Sequence, residues 1–266
     1  MYDRFNRYID YLRISVTDKC NLRCRYCMPE EGIQLLRHED ILSFEEITRI
    51  VEYGAEHGIR KVRLTGGEPL VRRDIVKLVD MISRVKEIED FSMTTNGMLL
   101  PAMAQELRKA GLQRINVSLD TLDPEKYSQI TRHGKLSDTL AGIDAADQAG
   151  LKPIKINMVL NELTTEEDKN ALAQFSEERG YQLRFIHQMD LEHGTFSVVE
   201  GGAGGDCKRC NRLRLTANGK LKPCLFSDIA YDIRKLGVEK AFSEALRNKP
   251  KTGTTNSTCT FNRIGG

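Results

Sequence analysis

The stretch EHGIRKVRLT, residues 56–65, decides the fold, because it leads from the end of a helix through a glycine into a short β-rich run. Gly58 stands where helices commonly end in a left-handed residue, and the Val- and Leu-containing run after it favours a strand. The same pattern recurs three times, in KAGLQRINVS (109–118), QAGLKPIKINMV (148–159) and ERGYQLRFI (178–186). The four copies predict a repeated helix–strand unit.

Two further segments, YLRISVT (11–17) and DFSMTT (90–95), bring the predicted number of strands to six. One helix is predicted after Ser43, which has the capping-box partner Glu46 three residues later. Strands that alternate with helices form parallel sheets through right-handed crossovers. Six units are too few for a closed eight-stranded barrel, so we expect an α/β fold, either a partial (βα)6 TIM-like barrel or a doubly wound sheet. The other predicted helices cover about 74–87, 101–110, 137–149 and 165–179.

The repeat stops near residue 190. A glycine-rich stretch, GGAGG (201–205), follows, then a turn-like TANGK (216–220) between two β-rich runs, and a helix predicted near 231–248. We therefore expect a partial barrel over 1–190 and a small C-terminal appendage over 191–266.

Composition narrows the class of protein. The 266 residues carry a net charge of +2, with 29% charged and 40% hydrophobic residues, which is typical of a soluble globular protein and argues against disorder. No uncharged apolar run approaches the roughly 18 residues of a membrane helix, and the charged start MYDRFNRYIDYLR does not resemble a signal peptide. We expect a cytoplasmic protein that binds neither membrane nor, given its balanced charge, nucleic acid.

Three cysteines stand close together after the first predicted strand. Cys20, Cys24 and Cys27 have the spacing CxxxCxxC. Three thiolates on one loop can hold three irons of a cubane cluster and leave the fourth iron open to another ligand. A zinc site or three unrelated thiols is the alternative.

A second group consists of Cys207, Cys210 and Cys224, so that the chain has two candidate metal sites. The alternatives here are a zinc ribbon that lacks its fourth ligand and a fully ligated electron-relay cluster. Cys259 stands alone, and we predict a free thiol there, because a free, partly buried thiol is the commoner state of a lone cysteine. If Cys259 were instead a fourth ligand, the second site would be closed.

The first cysteine loop, together with GGEP (66–69) at the end of the next strand, resembles the radical S-adenosylmethionine (SAM) enzymes. The resemblance implies a [4Fe-4S] cluster whose open iron is chelated by SAM. Tyr26 would pack near the adenine, and the backbone of Gly66, Gly67 and Glu68 would follow the SAM amino group. Ser118 and Met189 match further positions that contact SAM.

With the second cysteine group, nearly the whole chain resembles the GTP 3′,8-cyclases of molybdenum cofactor biosynthesis, the MoaA family. This implies a second [4Fe-4S] cluster that binds the guanine of GTP, and conversion of GTP to 3′,8-cyclo-7,8-dihydro-GTP. It also implies an electron donor of the flavodoxin or ferredoxin type, a downstream pyranopterin synthase and a possible homodimer. Guanidinium groups suit a triphosphate, and the residues matched to GTP binding are Arg13, Arg63, Thr94, Lys155, Arg212 and Arg214. Lys61 and Arg184 are expected to contribute as well, and Arg13, Arg63, Gly265 and Gly266 are assigned to catalysis.

The chain departs from that family in two places. Only seventeen residues separate Met189 from Cys207, where the family has a longer segment, and His187 stands where an acidic residue is usual. Both differences concern the shape of the substrate cavity. The competing functions are a radical SAM peptide maturase with a relay cluster and a non-catalytic iron or zinc protein.

Overall fold

The computed structural model describes residues 1–257 and Ile264. The predictions for Cys259, Gly265 and Gly266 therefore lie outside the described residues. Among the described residues, no helix is both long and apolar enough to cross a membrane.

All six predicted strands are present. They are β1 (Tyr11–Ser15), β2 (Lys61–Thr65), β3 (Asp90–Thr95), β4 (Arg114–Ser118), β5 (Lys155–Leu160) and β6 (Gln182–His187). Each is parallel to its neighbour, in the spatial order β6-β5-β4-β3-β2-β1. The sheet is thus an open, partial barrel, as the repeat predicts.

The helices are α1 (Phe44–Glu56), α2 (Ile75–Ser83), α3 (Leu100–Lys109), α4 (Pro124–Thr131), α5 (Leu136–Gln148), α6 (Glu166–Glu178), α7 (Ile233–Leu236) and α8 (Val238–Arg247). The capping box of α1 is formed by Ser43 and Glu46, and the four predicted helix-ending glycines have positive φ. Buried aliphatic side chains of the strands and helices pack into one large core.

Three helix predictions were wrong in detail. The helix that starts near residue 74 ends at Ser83 instead of 87. The single helix expected near 231–248 is two helices, because Gly237, with φ of 79°, separates α7 from α8. The short α4 was not predicted, and it lies beside the first cysteine loop, where the N–H of Arg23 donates to the carbonyl of Thr131 (3.1 Å).

The C-terminal region continues the sheet on the other side of β1. Strand β7 (Arg212–Leu215) pairs with β1 in parallel, and β8 (Lys220–Lys222) and β9 (Tyr231–Asp232) follow antiparallel. The predicted TANGK turn joins β7 to β8. A small apolar cluster of Leu191, Leu225, Phe226 and Ile264 lies apart from the main core.

Candidate active site

The two cysteine groups lie beyond opposite ends of neighbouring strands. Cys20, Cys24 and Cys27 follow the carboxyl end of β1, whereas Cys207 and Cys210 precede the amino end of β7, which is parallel to β1. Cys224 follows β8, which is antiparallel to β7, and so lies at the same end as Cys207 and Cys210. The five residues of β1 span about 13 Å at the usual strand rise, so the two groups lie on either side of a zone of at least that length.

The first three thiols form a buried, mutually repelling group. Burial raises the pKa of all three, that of Cys27 to about 12, and the neighbouring thiols raise the pKa of Cys24 and Cys27 further. Within the described part of the chain, the charge of Arg23 acts to lower the pKa of Cys20 but does not outweigh burial, so bound metal is the natural source of positive charge for the three thiolates. Among residues 1–257 and Ile264, no three Cys, His, Asp or Glu side chains converge on one metal ion. A [4Fe-4S] cluster fits this donor set, because each of its irons takes a different thiolate.

The GGEP turn packs directly on the start of the cysteine loop. The N–H groups of Gly67 and Glu68 donate to the carbonyls of Thr17 and Lys19, both at 2.8 Å. A Cβ on Gly67 would lie 2.3 Å from the Lys19 carbonyl oxygen, so only glycine permits this approach. The two glycines thus have a structural role, and their contact with SAM stays a prediction.

Glu68 joins the turn to the end of β3. Its carboxylate accepts hydrogen bonds from the Thr95 hydroxyl (2.7 Å) and from the N–H groups of Leu70 (3.0 Å) and Asn96 (2.7 Å). The side chain is buried, and burial raises its pKa to about 7 although the three donors favour the charged form.

This raised pKa predicts that the protein without cofactors is more stable in mild acid. The folded protein keeps the Glu68 proton to a higher pH than the unfolded chain, so this stabilisation is complete below about pH 4.5 and is lost as the pH rises through about 7. We expect a loss of about 3 kcal/mol in the free energy of unfolding across that window, measured by urea unfolding at several pH values.

The matched variant is Glu68→Gln, whose pH slope should be smaller. Asp120 supplies the residual slope, because burial raises its pKa to about 6. An equal slope in wild type and variant would contradict the assignment to Glu68.

The same Asp120 also holds the side chain of Tyr26 by a hydrogen bond to its hydroxyl. The Tyr26 hydroxyl donates to Asp120 Oδ2 at 2.8 Å, while Asp120 Oδ1 accepts from the Val159 N–H at 2.8 Å. The ring borders the central cavity, as do Ser118 and Met189. This placement agrees with the predicted contact with SAM without testing it.

A row of arginines crosses the sheet between the two cysteine groups. Arg13 in β1 stands opposite Arg63 in β2 on one side and opposite Arg214 in β7 on the other. Alternation along the strands brings Lys61 and Arg212 to the same face, as predicted. All five side chains line the cavity.

Most of these cations have no acidic partner. Arg13, Arg63, Lys155, Arg184 and Arg212 form no ion pair among the residues that the structure describes, whereas Lys61 is paired with Asp10 (2.9 Å). Burial, followed by the charges of neighbouring arginines, lowers the pKa of Lys155 to about 8 and that of Arg214 to about 10. A polyanionic ligand would relieve this repulsion.

Several buried polar atoms beside the cavity make no hydrogen bond within the described part of the chain. They are Tyr11 OH, Arg13 Nε, Thr94 Oγ1, Asn157 Oδ1 and Arg184 Nε. Because buried polar groups are normally paired, their concentration here indicates a polar ligand.

The second cysteine group has a different electrostatic environment. Burial acts to raise the pKa of Cys210, but the charges of Lys249 and Arg212 outweigh it and the pKa is lowered. Burial raises the pKa of Cys224, and Lys249 partly offsets this. The cations next to these thiols suit an anionic thiolate centre.

The short link between Met189 and Cys207 forms part of the cavity wall. Its backbone pairs Glu200 with Phe185 at the free edge of β6, and the carbonyl of Ala203 accepts from the Arg212 guanidinium (2.8 Å). Glu200 also brings a carboxylate to His187, with Oε1 3.2 Å from Nε2. The site thus has an acidic group beside position 187, although position 187 is itself histidine.

One cavity of about 610 Å³ contains all of these features. Every predicted site residue within the described part of the chain borders this cavity, including the three cysteines of each group. The sequence motifs do not indicate four further residues of the cavity wall, namely Tyr11, Asn157 and the pair Arg114–Asp90, whose atoms Nη2 and Oδ2 are 2.6 Å apart. Alternation along β4 was the available signal, because it places Arg114 on the same face as Ser118.

Comparison with known proteins gives two family matches. Residues 14–175 match the model of the Radical SAM superfamily, and residues 154–256 match that of Molybdenum Cofactor Synthesis C. The solved structure of SuiB from Streptococcus suis bound to S-adenosylmethionine is similar in fold, with a TM-score of 0.66 and 17% identity over 91% of this chain and 66% of that chain. The open barrel and its cysteine loop thus define a radical SAM enzyme.

Similar curated proteins narrow the family. A GTP 3′,8-cyclase of Thermodesulfovibrio yellowstonii is 44% identical over 93% of this chain and 91% of the relative, and one of Petrotoga mobilis is 40% identical over 94% of both. The chain belongs to the GTP 3′,8-cyclase family. The first alignment extends over 293 positions, more than the 266 residues of this chain, so the relative has additional residues within the aligned region. This agrees with the predicted shortening, whose location at the 190–206 link stays a prediction.

Proposed function

We propose that this protein is a lyase that converts GTP to 3′,8-cyclo-7,8-dihydro-GTP in molybdenum cofactor biosynthesis. The observation that carries the proposal is a cavity in which a row of cations lies between two groups of three cysteines. Such a cavity suits a substrate with a polyanionic part and a part that reaches a metal centre.

The triphosphate would bind along the cation row. Arg13, Arg63 and Arg214 occupy adjacent register positions, so their guanidinium groups can share the oxygens of neighbouring phosphates. Lys155, Arg184 and Arg212 would add charge from the surrounding strands, and the unpaired hydroxyl of Thr94 would bind the base or ribose. Bound phosphates would raise the lowered pKa values of Lys155 and Arg214 toward their usual range, because negative charge favours the protonated form.

Cys20, Cys24 and Cys27 would hold a [4Fe-4S] cluster whose open iron binds SAM. With both bound, the site would supply radical chemistry that removes hydrogen from C3′ of the ribose and joins C3′ to C8 of guanine. The electron that cleaves SAM, and the electron that with a proton completes the dihydro product, would come from the proposed donor. The residues of the chain orient the ribose and keep water away, and Tyr26 and the GGEP turn would position SAM.

Cys207, Cys210 and Cys224 would hold a second [4Fe-4S] cluster whose open iron binds guanine. The cationic surroundings of Cys210 support this assignment. Gly265 and Gly266, outside the described residues, would approach the active site as a terminal segment. The proposal extends to a barrel over 1–190 with an appendage over 191–266, to a flavodoxin- or ferredoxin-type donor, to a pyranopterin synthase that uses the product, and to a homodimer in the cytoplasm.

Anaerobic reconstitution tests the proposal directly. We expect about eight irons per chain, because each [4Fe-4S] cluster contributes four, and 5′-deoxyadenosine formation that depends on GTP. The product is identified by mass spectrometry. About four irons would exclude the second cluster, and SAM cleavage that is indifferent to GTP would exclude the cyclase while leaving the superfamily intact.

A further inference from the structure

Lys249 is a lysine buried in the wall of the second cysteine group. Only 1% of the residue is exposed. Its ammonium donates to the carbonyl of Arg212 (2.7 Å) and to that of Pro223 (2.5 Å), and its charge lowers the pKa of the Cys210 thiol. Both hydrogen bonds of the ammonium are therefore directed at the cysteine-bearing segments.

These contacts join two segments that are separate in sequence. Arg212 follows Cys210 by two residues, and Pro223 immediately precedes Cys224. One side chain thus extends the β7–β8 pairing, which ends at Arg214 and Lys222, to the residues next to the CxxC loop and the third cysteine.

Arg7 holds the same assembly from the N-terminal side. Its guanidinium donates to the carbonyls of Cys207 (2.7 Å), Pro250 (2.7 Å) and Lys251 (3.1 Å), and its Nε is 2.6 Å from Asp3 Oδ2. Arg7 therefore attaches the residues that follow Lys249 to the first cysteine of the group.

The charge of Lys249 has no carboxylate partner among the residues that the structure describes. Arg7 is neutralised by Asp3, but no ion pair of Lys249 with an acidic side chain occurs there. A buried ammonium without a counter-charge is costly, and the two carbonyls that hold this ammonium belong to Arg212 and Pro223, within two residues of Cys210 and Cys224. Three thiolates and a [4Fe-4S] core carry a net negative charge that increases on reduction.

We propose that Lys249 is a positioning residue of the second cysteine group, where it sets the spacing of the two ligand segments and supplies the counter-charge of the cluster. This role rests on the second cluster of the proposed function. A nearby positive charge and hydrogen bonds to the sulfurs favour the reduced state of an iron–sulfur cluster, so Lys249 raises its reduction potential.

Substitution separates the two parts of this role. Lys249→Gln can still donate two hydrogen bonds to the carbonyls but has no charge, whereas Lys249→Met has neither. In a potentiometric titration followed by electron paramagnetic resonance, we expect Lys249→Gln to keep about eight irons. Its second cluster should have a reduced-to-oxidised ratio about tenfold lower at a fixed potential, or about 59 mV for a one-electron couple. Lys249→Met should lose the second cluster and retain the first.

The controls are Lys249→Arg, which keeps the charge and should restore the potential toward that of wild type, and Lys240→Gln, an exposed lysine of α8 that should change nothing. The first cluster serves as an internal reference in every sample. Wild-type potential and iron content in both Lys249→Gln and Lys249→Met would overturn the role of Lys249. Wild-type protein with only about four irons would instead overturn the second cluster, and this role with it.

Discussion

Replacing Cys24 with alanine is expected to abolish reductive cleavage of SAM. Removing one of the three thiolates leaves the first site with too few ligands to hold a cluster. Burial raises the pKa of the remaining thiols, Cys20 and Cys27, so their thiolate forms are not favoured without bound metal. We expect the iron content to fall from about eight to about four per chain, because the second group keeps its ligands. The measurements are iron analysis and 5′-deoxyadenosine formation by chromatography.

The matched control is Cys259→Ala, which changes the one cysteine predicted to be free. It should leave iron content and SAM cleavage as in wild type. Persistent SAM cleavage in the Cys24 variant would show that the CxxxCxxC loop is not the site of the first cluster. Loss of four irons in the Cys259 variant would mean that the second site has a fourth ligand, as in a relay cluster.

Replacing Arg13 with glutamine is expected to lower kcat/KM for GTP by about 100-fold, which corresponds to about 2.7 kcal/mol of transition-state stabilisation. Arg13 occupies the central register position, with Arg63 and Arg214 on either side, so its loss divides the phosphate site. The same change removes mutual repulsion among buried cations, and burial and those neighbours already lower the pKa of Arg13. We therefore expect thermal stability to be unchanged or higher.

Steady-state kinetics and thermal unfolding of the same samples test both halves of this prediction. Arg49→Gln is a suitable control, because it makes the same Arg-to-Gln change on the exposed side of α1, away from the cavity. An iron content equal to that of wild type is required, because Arg13 is assigned to substrate and not to a cluster. Unchanged kcat/KM would remove Arg13 from the phosphate site, and a large loss of stability would make it a structural residue.

The strands were predictable because their signals are local. For β2, β4, β5 and β6, a glycine with positive φ at the end of the preceding helix and the β-rich run after it lie within ten residues of each other. The cysteine loop and the GGEP turn were likewise recognisable, since parallel strands bring their carboxyl ends to one edge of the sheet. Because side chains alternate between the two faces of a strand, the sequence also predicted that Lys61 shares a face with Arg63 and that Arg212 shares a face with Arg214.

The rest depended on contacts that local patterns do not encode. Helix α4 is short and begins at Asp123-Pro124, which resembles a turn in sequence. Pairing of the Glu200 segment with β6, and of Lys249 with the two cysteine segments, joins residues that have no shared periodicity. Lys249 in particular is an ordinary polar residue after a helix until its burial is seen.

The parallel pairing of β1 with β7 has a consequence for folding. Arg13 and its partner Arg214 are about two hundred residues apart in the chain, so this contact closes one of the longest loops in the protein. During synthesis, one edge of β1 stays unpaired until β7 has emerged, and the second cysteine group is complete only when Cys224, which follows β8, has emerged as well. We infer that the arginine row forms late in synthesis. An incomplete chain therefore does not bind nucleotide before the whole cavity has formed.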